Sequence, residues 1–195
     1  MLSAFRISAV LLLLLSLVTG IAYPMAVTAV GSVLFPRQAT GSLIDRDGKP
    51  IGSDLIGQPF DEAKYFWGRP SATAPVGYAA MSGSGSNQAT TNPALVEAVQ
   101  GRVAHLKEAD PENTAPIPVD LVTTSGSGLD PHVSPAAALY QVDRVARARG
   151  VPAEKIRALV QTHVEAPTFH ILGQSRVNVL RLNLALDAEF PAPKS

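Results

Sequence analysis

Charge is absent from Ile7 through Phe35, twenty-nine residues in a row, and within that run Leu11–Leu15 is an unbroken leucine block. A bilayer core of about 30 Å takes roughly 20 apolar residues at about 1.5 Å each. The run is therefore long enough to span, with about two helical turns left over. Pro24, preceded by Tyr23, is expected to kink the helix without ending it. A cleaved secretory signal is the competing reading, with a small-residue site such as Val27-Thr28-Ala29. Signal cores run to about 7–15 residues, so length favours a retained anchor. The leucine block also disfavours a core helix of a soluble domain. Arg6 is the only charged side chain ahead of the run. The positive-inside tendency then keeps the amino end in the cytoplasm and the remainder of the chain outside.

Beyond the anchor the pattern shortens. Residues 36–57 alternate brief apolar pairs with turns, and Asp47-Gly48 is placed as the tip of a hairpin. Tyr65-Phe66-Trp67-Gly68-Arg69 brings three aromatics beside one arginine. This reads as a loop stapled to the core, with an interface anchor as the sharper alternative. Asn92 and Pro93 open a helix with Leu95, Val99, Val103 and Leu106 on one face, ending near Ala109-Asp110-Pro111. Val119–Thr123 reads as a strand. Ser134 and Pro135 start a second helix that carries Leu139, Val142 and Val145 inward and stops at Gly150. Pro152 opens a third, with Ile156, Leu159, Val160 and Val164 on one stripe. Val177–Leu186 alternates like a strand, but its phase slips between Val179 and Leu180, implying a bulge or burial on both faces. The expected architecture is a single N-terminal transmembrane helix, residues 1–35, plus one mixed α/β (α+β) domain over 36–195. That domain should hold a small sheet and about three helices.

Charge narrows the partners. Lys and Arg number 16 and Asp and Glu 16; setting Arg6 aside leaves 15 against 16, a net charge near −1 outside the anchor. Nucleic acid and anionic lipid surfaces want a basic face, so neither is expected as a partner of the domain. Cysteine is absent, which removes disulfides and thiolate metal sites. Fifteen Gly and sixteen Pro place much of the backbone in turns.

Candidate chemistry is sparse. Ser127, Asp130 and His132 invite a hydrolase reading, but side chains three to five apart on one loop rarely form a triad, and no G-x-S-x-G elbow occurs. His105, His132, His163 and His170 have no metal-ligand spacing. Asp120 is a lone carboxylate among apolar neighbours and needs a hydrogen-bond partner or a capping role. The Ser82–Asn87 run resembles a phosphate cradle but lacks both a following Lys-Ser/Thr and the GxGxxG spacing. If a nucleotide touches the chain, Ser84, Ser86, Asn87, Ser125, Ser127 and Gly128 are the candidates. No metal site and no catalytic residue are expected.

The turn-rich blocks carry a likeness. Phe35-Pro36-Arg37-Gln38-Ala39-Thr40-Gly41-Ser42-Leu43, Gly52-Ser53-Asp54-Leu55-Ile56-Gly57-Gln58, Tyr65-Phe66-Trp67-Gly68-Arg69-Pro70-Ser71-Ala72 and Gly85-Ser86-Asn87 come in this order. They are followed by Pro118–Thr123, Ser127–Pro131, Arg144-Val145-Ala146, Val177-Asn178-Val179-Leu180 and Leu182–Asp187. The series resembles the C subunits of the bacterial Kdp potassium-transporting ATPases over essentially the whole chain, anchor included. Trp67 and the loose Ser82–Ser86 run are its small departures. The resemblance implies a non-catalytic, single-pass subunit of the bacterial inner membrane. It would sit beside a channel-like A subunit that binds potassium, a P-type ATPase B subunit that hydrolyses ATP and a very small F subunit. The resemblance also implies a catalytic chaperone that raises the ATP affinity of the B subunit, with no tightly bound cofactor and ATP reached through the complex. An extracytoplasmic domain reconciles with that effect only allosterically. Arg69, Asn87, Asp120 and Asp130 are the expected orienting residues of a docking face on the potassium-binding subunit.

Overall fold

The computed structural model describes residues 2–192, so the last three residues of the expected 36–195 domain lie outside the described residues. Contacts divide the chain after Ile51 into two compact units.

In the first unit, α1 (Leu2–Leu17), a π turn (Val18–Ala22) and α2 (Tyr23–Leu34) form one continuous helix. Its 33 residues are long and apolar enough to cross a membrane, and none of its side chains is buried. The π turn answers the kink expected at Pro24. A proline offers no N–H to the carbonyl four residues back and its ring crowds that carbonyl. The backbone widens instead, and the Tyr23 N–H donates five residues back to the Val18 carbonyl. Within the widened turn Thr19 Oγ1 donates back to the Leu15 carbonyl at 2.7 Å. After the single turn α3 (Pro36–Ala39), strands β1 (Leu43–Arg46) and β2 (Lys49–Ser53) pair as the expected hairpin, β2 running across the boundary at Ile51. Asp47 and Gly48 at its tip have φ of 54° and 74°, the signs a two-residue hairpin turn of right-handed twist requires.

The second unit combines five helices with a small antiparallel sheet, against which α5 and α8 pack: α4 (Pro93–Ala109), α5 (Pro135–Tyr140), α6 (Val142–Arg149), α7 (Ala153–Thr162) and α8 (Val179–Glu189). The sheet has the order β3-β5-β4, built from His132–Val133, Arg176–Asn178 and Val164–Glu165. Val177 of β5 pairs Val133 on one side and Val164 on the other, and it is fully buried. Helix α4 starts where expected: the Asn92 side chain accepts the Ala94 N–H at 3.0 Å, with Pro93 at the first helical position.

Four expectations are corrected. Val119–Thr123 is no strand; Val119–Leu121 is a single 3-10 turn, and Thr123 Oγ1 donates to the Val119 carbonyl at 2.8 Å. Leu121 and Val122 are both buried, as neighbouring residues of a turn can be. The helix expected from Ser134 to Gly150 breaks at Gln141, whose side chain is needed in the core; Gly150 (φ 65°) does cap its second half. Val164 leaves the helical stripe, because α7 ends at Thr162 and Val164 joins β4. The strand expected over 177–186 lasts only to Asn178. Val179, Leu182, Asn183 and Leu186 are then buried at helical spacing, so the slip in alternation was the switch from strand to helix. Asn178 makes the switch: its Oδ1 accepts the Arg181 N–H at 3.1 Å as the N-cap, and its Nδ2 donates to the Asp54 carbonyl at 2.9 Å.

At the centre lies a strap, residues 62–69, that belongs to neither helix nor sheet yet carries fully buried Phe66. Asn183 accepts the Phe66 N–H and donates to the Phe66 carbonyl, both at 2.9 Å. Gln141 does the same for Trp67, at 2.8 and 3.1 Å. Two buried side-chain amides thus replace the backbone of a neighbouring strand. Replacing Asn183 with Leu keeps the branched four-atom side chain but strands two buried backbone groups, at about 1–3 kcal/mol each. Asn183→Leu should therefore cost about 2–5 kcal/mol in denaturant unfolding of the detergent-solubilised chain; a loss within experimental error of zero would remove Asn183 from this role.

Candidate functional site: the Arg69 cleft and its loops

Where the strap leaves the core it forms one wall of a cleft of about 610 Å³, lined among others by Phe60, Trp67, Arg69, Tyr78, Arg102 and His105. Helix α4 supplies the opposite wall through Arg102, His105 and Leu106. His105 stacks on Trp67 with ring centroids 5.0 Å apart and planes 15° from parallel. The Arg144 guanidinium lies over the same indole at 4.0 Å. Burial drives Arg144 down to about 10, against the opposing charge of Asp110, which leaves it protonated at neutral pH. Arg102 is likewise lowered by burial and donates to the Val122 carbonyl at 2.8 Å.

Arg69 ties the strap to the loop before β3. Its Nη1 donates to Asp130 Oδ2 at 3.3 Å and its Nη2 to the Thr124 carbonyl at 3.2 Å. Arg69 Nε is buried with no acceptor, one of two such side-chain atoms among the described residues. Tyr78 donates to the Arg69 carbonyl at 2.5 Å, and burial together with the Asp130 charge pushes its phenol up to about 12. Asp130 also receives the His132 backbone N–H at 3.0 Å and faces His132 Nδ1 at 3.2 Å. Burial alone would raise the Asp130 carboxyl, but the His132 hydrogen bonds and the His132 and Arg69 charges outweigh it, so the group sits below its ordinary range.

The glycine-serine loops meet behind this pair. Gly128, at φ 68°, lies so close to the other loop that a Cβ on it would stand 2.6 Å from the Ser84 carbonyl oxygen. Ser125 Oγ accepts the Gly128 N–H at 3.0 Å, and Ser127 Oγ accepts the Leu129 N–H at 3.1 Å. Ser84 Oγ donates to the Gly85 carbonyl, while Ser86 and Asn87 are exposed and Asn87 adopts φ 51°. Ser71 closes the set by donating to the Gly128 carbonyl at 2.7 Å. Of the hydrolase trio, Asp130 and His132 are in contact, whereas the Ser127 hydroxyl is held by its own turn. Asp120 sits apart from Arg69: it accepts the Ser134 N–H at 2.6 Å and the Ser134 hydroxyl at 3.2 Å at the start of α5. The structure thus joins Arg69 to Asp130, brings the two loops together, and leaves Asp120 holding Ser134, the N-cap of α5, and Asn87 at the surface.

The family described as KdpC, K+-transporting ATPase c chain, matches residues 5–188, through the apolar helix and the folded unit alike. The chain belongs to that family. The potassium-transporting ATPase KdpC subunit of Methylococcus capsulatus is 59% identical over 188 residues, covering 96% of this chain and 99% of its own. Those of Polaromonas naphthalenivorans and Sorangium cellulosum are 59% and 58% identical, over 95% and 96% of this chain and 95% and 98% of theirs. This chain is therefore a KdpC-family subunit of a potassium-transporting ATPase complex, with one candidate membrane helix near its amino end.

Sequence reading missed Tyr78, Arg102, His105 and the two core amides. A signal existed for the amides alone: Asn183 and Gln141 interrupt apolar runs at positions that helical spacing assigns to the core.

Asp130 titrates lower in the folded chain than the ordinary carboxylate value of about 3.9. Its contribution is complete above that value and is lost as pH falls through the folded pKa. Hydrogen exchange at the His132 amide, corrected for its intrinsic rate, should accelerate below about pH 4. Asp130→Asn should abolish that step; an acid profile identical to the parent's would place the titration elsewhere.

Proposed function

We propose that the chain is the accessory subunit that holds a channel-like potassium-binding subunit and a P-type ATPase subunit in one assembly, together with a very small fourth subunit. Its helix anchors it in the bacterial inner membrane with the amino end cytoplasmic, and the folded unit docks on the outer face of the potassium-binding subunit. The observation that carries this reading is the single family match running through both helix and folded unit, which supports a helix kept as part of the working protein. A buried Arg69 Nε without an acceptor, in a cleft that also holds Arg102 and His105, supports docking through this face. Any rise in ATP affinity of the ATPase subunit is then transmitted through the complex. The packing of the glycine-serine loops supports that route: their serines at 84, 125 and 127 serve turns, and Gly128 is used for close backbone approach.

Charge reversal tests the docking. Arg69→Glu, with Arg102→Glu as a second variant, should reduce co-purification of the transporter subunits by about tenfold or more and lower potassium-stimulated ATPase in parallel. Unchanged yield and activity from both variants would refute it. Sidedness has a separate readout, because the chain has no cysteine and Ser86→Cys introduces a single thiol. A membrane-impermeant maleimide should label it in intact spheroplasts; labelling only after lysis would put the folded unit in the cytoplasm and make direct nucleotide contact the leading reading.

A further inference from the structure

Between β4 and β5 the chain leaves the sheet as a finger of ten uncharged residues, Ala166-Pro167-Thr168-Phe169-His170-Ile171-Leu172-Gly173-Gln174-Ser175. It is ordered by its own backbone: Thr168 and Leu172 exchange N–H···O bonds, both at 2.9 Å, and the His170 N–H donates to the Pro167 carbonyl at 2.8 Å. At the tip Phe169 and His170 have φ of 54° and 61°, a left-handed conformation rarely held by two adjacent non-glycine residues. This backbone turns apolar side chains away from the chain's own core. Phe169 and Ile171 are each 81% exposed and Leu172 62%. Nothing in the unit gains from that exposure, and a strained, hydrogen-bonded tip loses little further freedom when it is bound.

Charge indicates the kind of surface it meets. The flanking ions, Glu165 and Arg176, pair with each other at 3.1 Å across the base of the finger. No cation remains on it to engage anionic headgroups, where apolar membrane-seeking segments carry Lys or Arg. Thr168, His170 and Gln174 instead intersperse the apolar residues with polar groups that carry no Lys or Arg, the mixture of a protein–protein contact with an apolar centre and a polar rim. We infer that the finger inserts into an apolar concavity on another protein subunit of the transporter. This rests on the reading of the chain as a subunit of that complex.

The test uses the full chain co-expressed with the other subunits in native membranes. A photo-reactive phenylalanine analogue is placed at Phe169, at Ile171, and, as background, at exposed Lys155 on α7. Irradiation should convert the chain at Phe169 and Ile171, well above the Lys155 background, into a conjugate that contains another transporter subunit. Conjugates with lipid alone or with a second copy of this chain, or yields no higher than at Lys155, would overturn the assignment. Affinity capture of the unmodified chain from the same membranes separates the two levels. Capture without cross-linking at the finger defeats the finger alone, whereas failure to capture any transporter subunit defeats the subunit reading and the finger with it. In a second measurement, Phe169→Ser combined with Ile171→Ser should cut retained subunits about tenfold with unchanged unfolding temperature; undiminished retention would count against the contact.

Discussion

A segment that runs through a protein core without belonging to a helix or sheet must still satisfy every peptide group it buries, and the second unit is arranged around that requirement. The strap 62–69 brings Phe66 to zero exposure and Trp67 to near burial, yet has no neighbouring strand. Asn183 from α8 and Gln141 from the α5–α6 break supply the missing backbone partners from two elements. Arg144 then donates to the Ala63 and Tyr65 carbonyls at 2.7 and 3.1 Å, and Arg149 to the Lys64 carbonyl at 2.8 Å. Helices that are separate in sequence are thereby fixed to one another through a stretch that is itself irregular.

The two arginines sharpen the point. Burying a guanidinium carries a desolvation cost of several kcal/mol unless hydrogen bonds and charge offset it. The Arg149 side chain is fully buried and meets that condition with the Lys64 and Phe190 carbonyls and a 2.9 Å contact to Asp187. Arg144 meets it with carbonyls, the Gln141 side chain and the face of Trp67. Trp67, a small departure from the resemblance in sequence, is thus the platform on which Arg144 and His105 converge. The wall of the cleft is consequently continuous with the core, and a change at Arg69 or His105 is felt against a rigid surface rather than a loose loop.

The outward-facing features are of two kinds. The Arg69–Asp130–His132 set is polar, partly buried and held by the loops around it. The finger between β4 and β5 is apolar, exposed and held by its own backbone. The first is carried by the strap and by the loop leading into β3, whereas the finger is based on β4 and β5, strands only two and three residues long.

Local signals in the chain determined the local elements. The uncharged, leucine-rich run Ile7–Phe35 favours a helix that satisfies its own backbone, Asp47-Gly48 fits a tight hairpin, Asn92-Pro93 starts α4 and Gly150 ends α6, because each depends on side chains within a few residues. The block order likewise carried the family. Tertiary structure decided what depended on partners far away in sequence. Val177–Leu186 reads as a strand until Asn178 caps a helix and holds the Asp54 carbonyl, 124 residues distant. The helix from Ser134 breaks because Gln141 is drawn to Trp67, 74 residues away, and Val119–Thr123 stays a turn because no strand pairs with it. Hydrophobic period records which face is buried; where a backbone hydrogen bond finds its partner is written only in the packed chain.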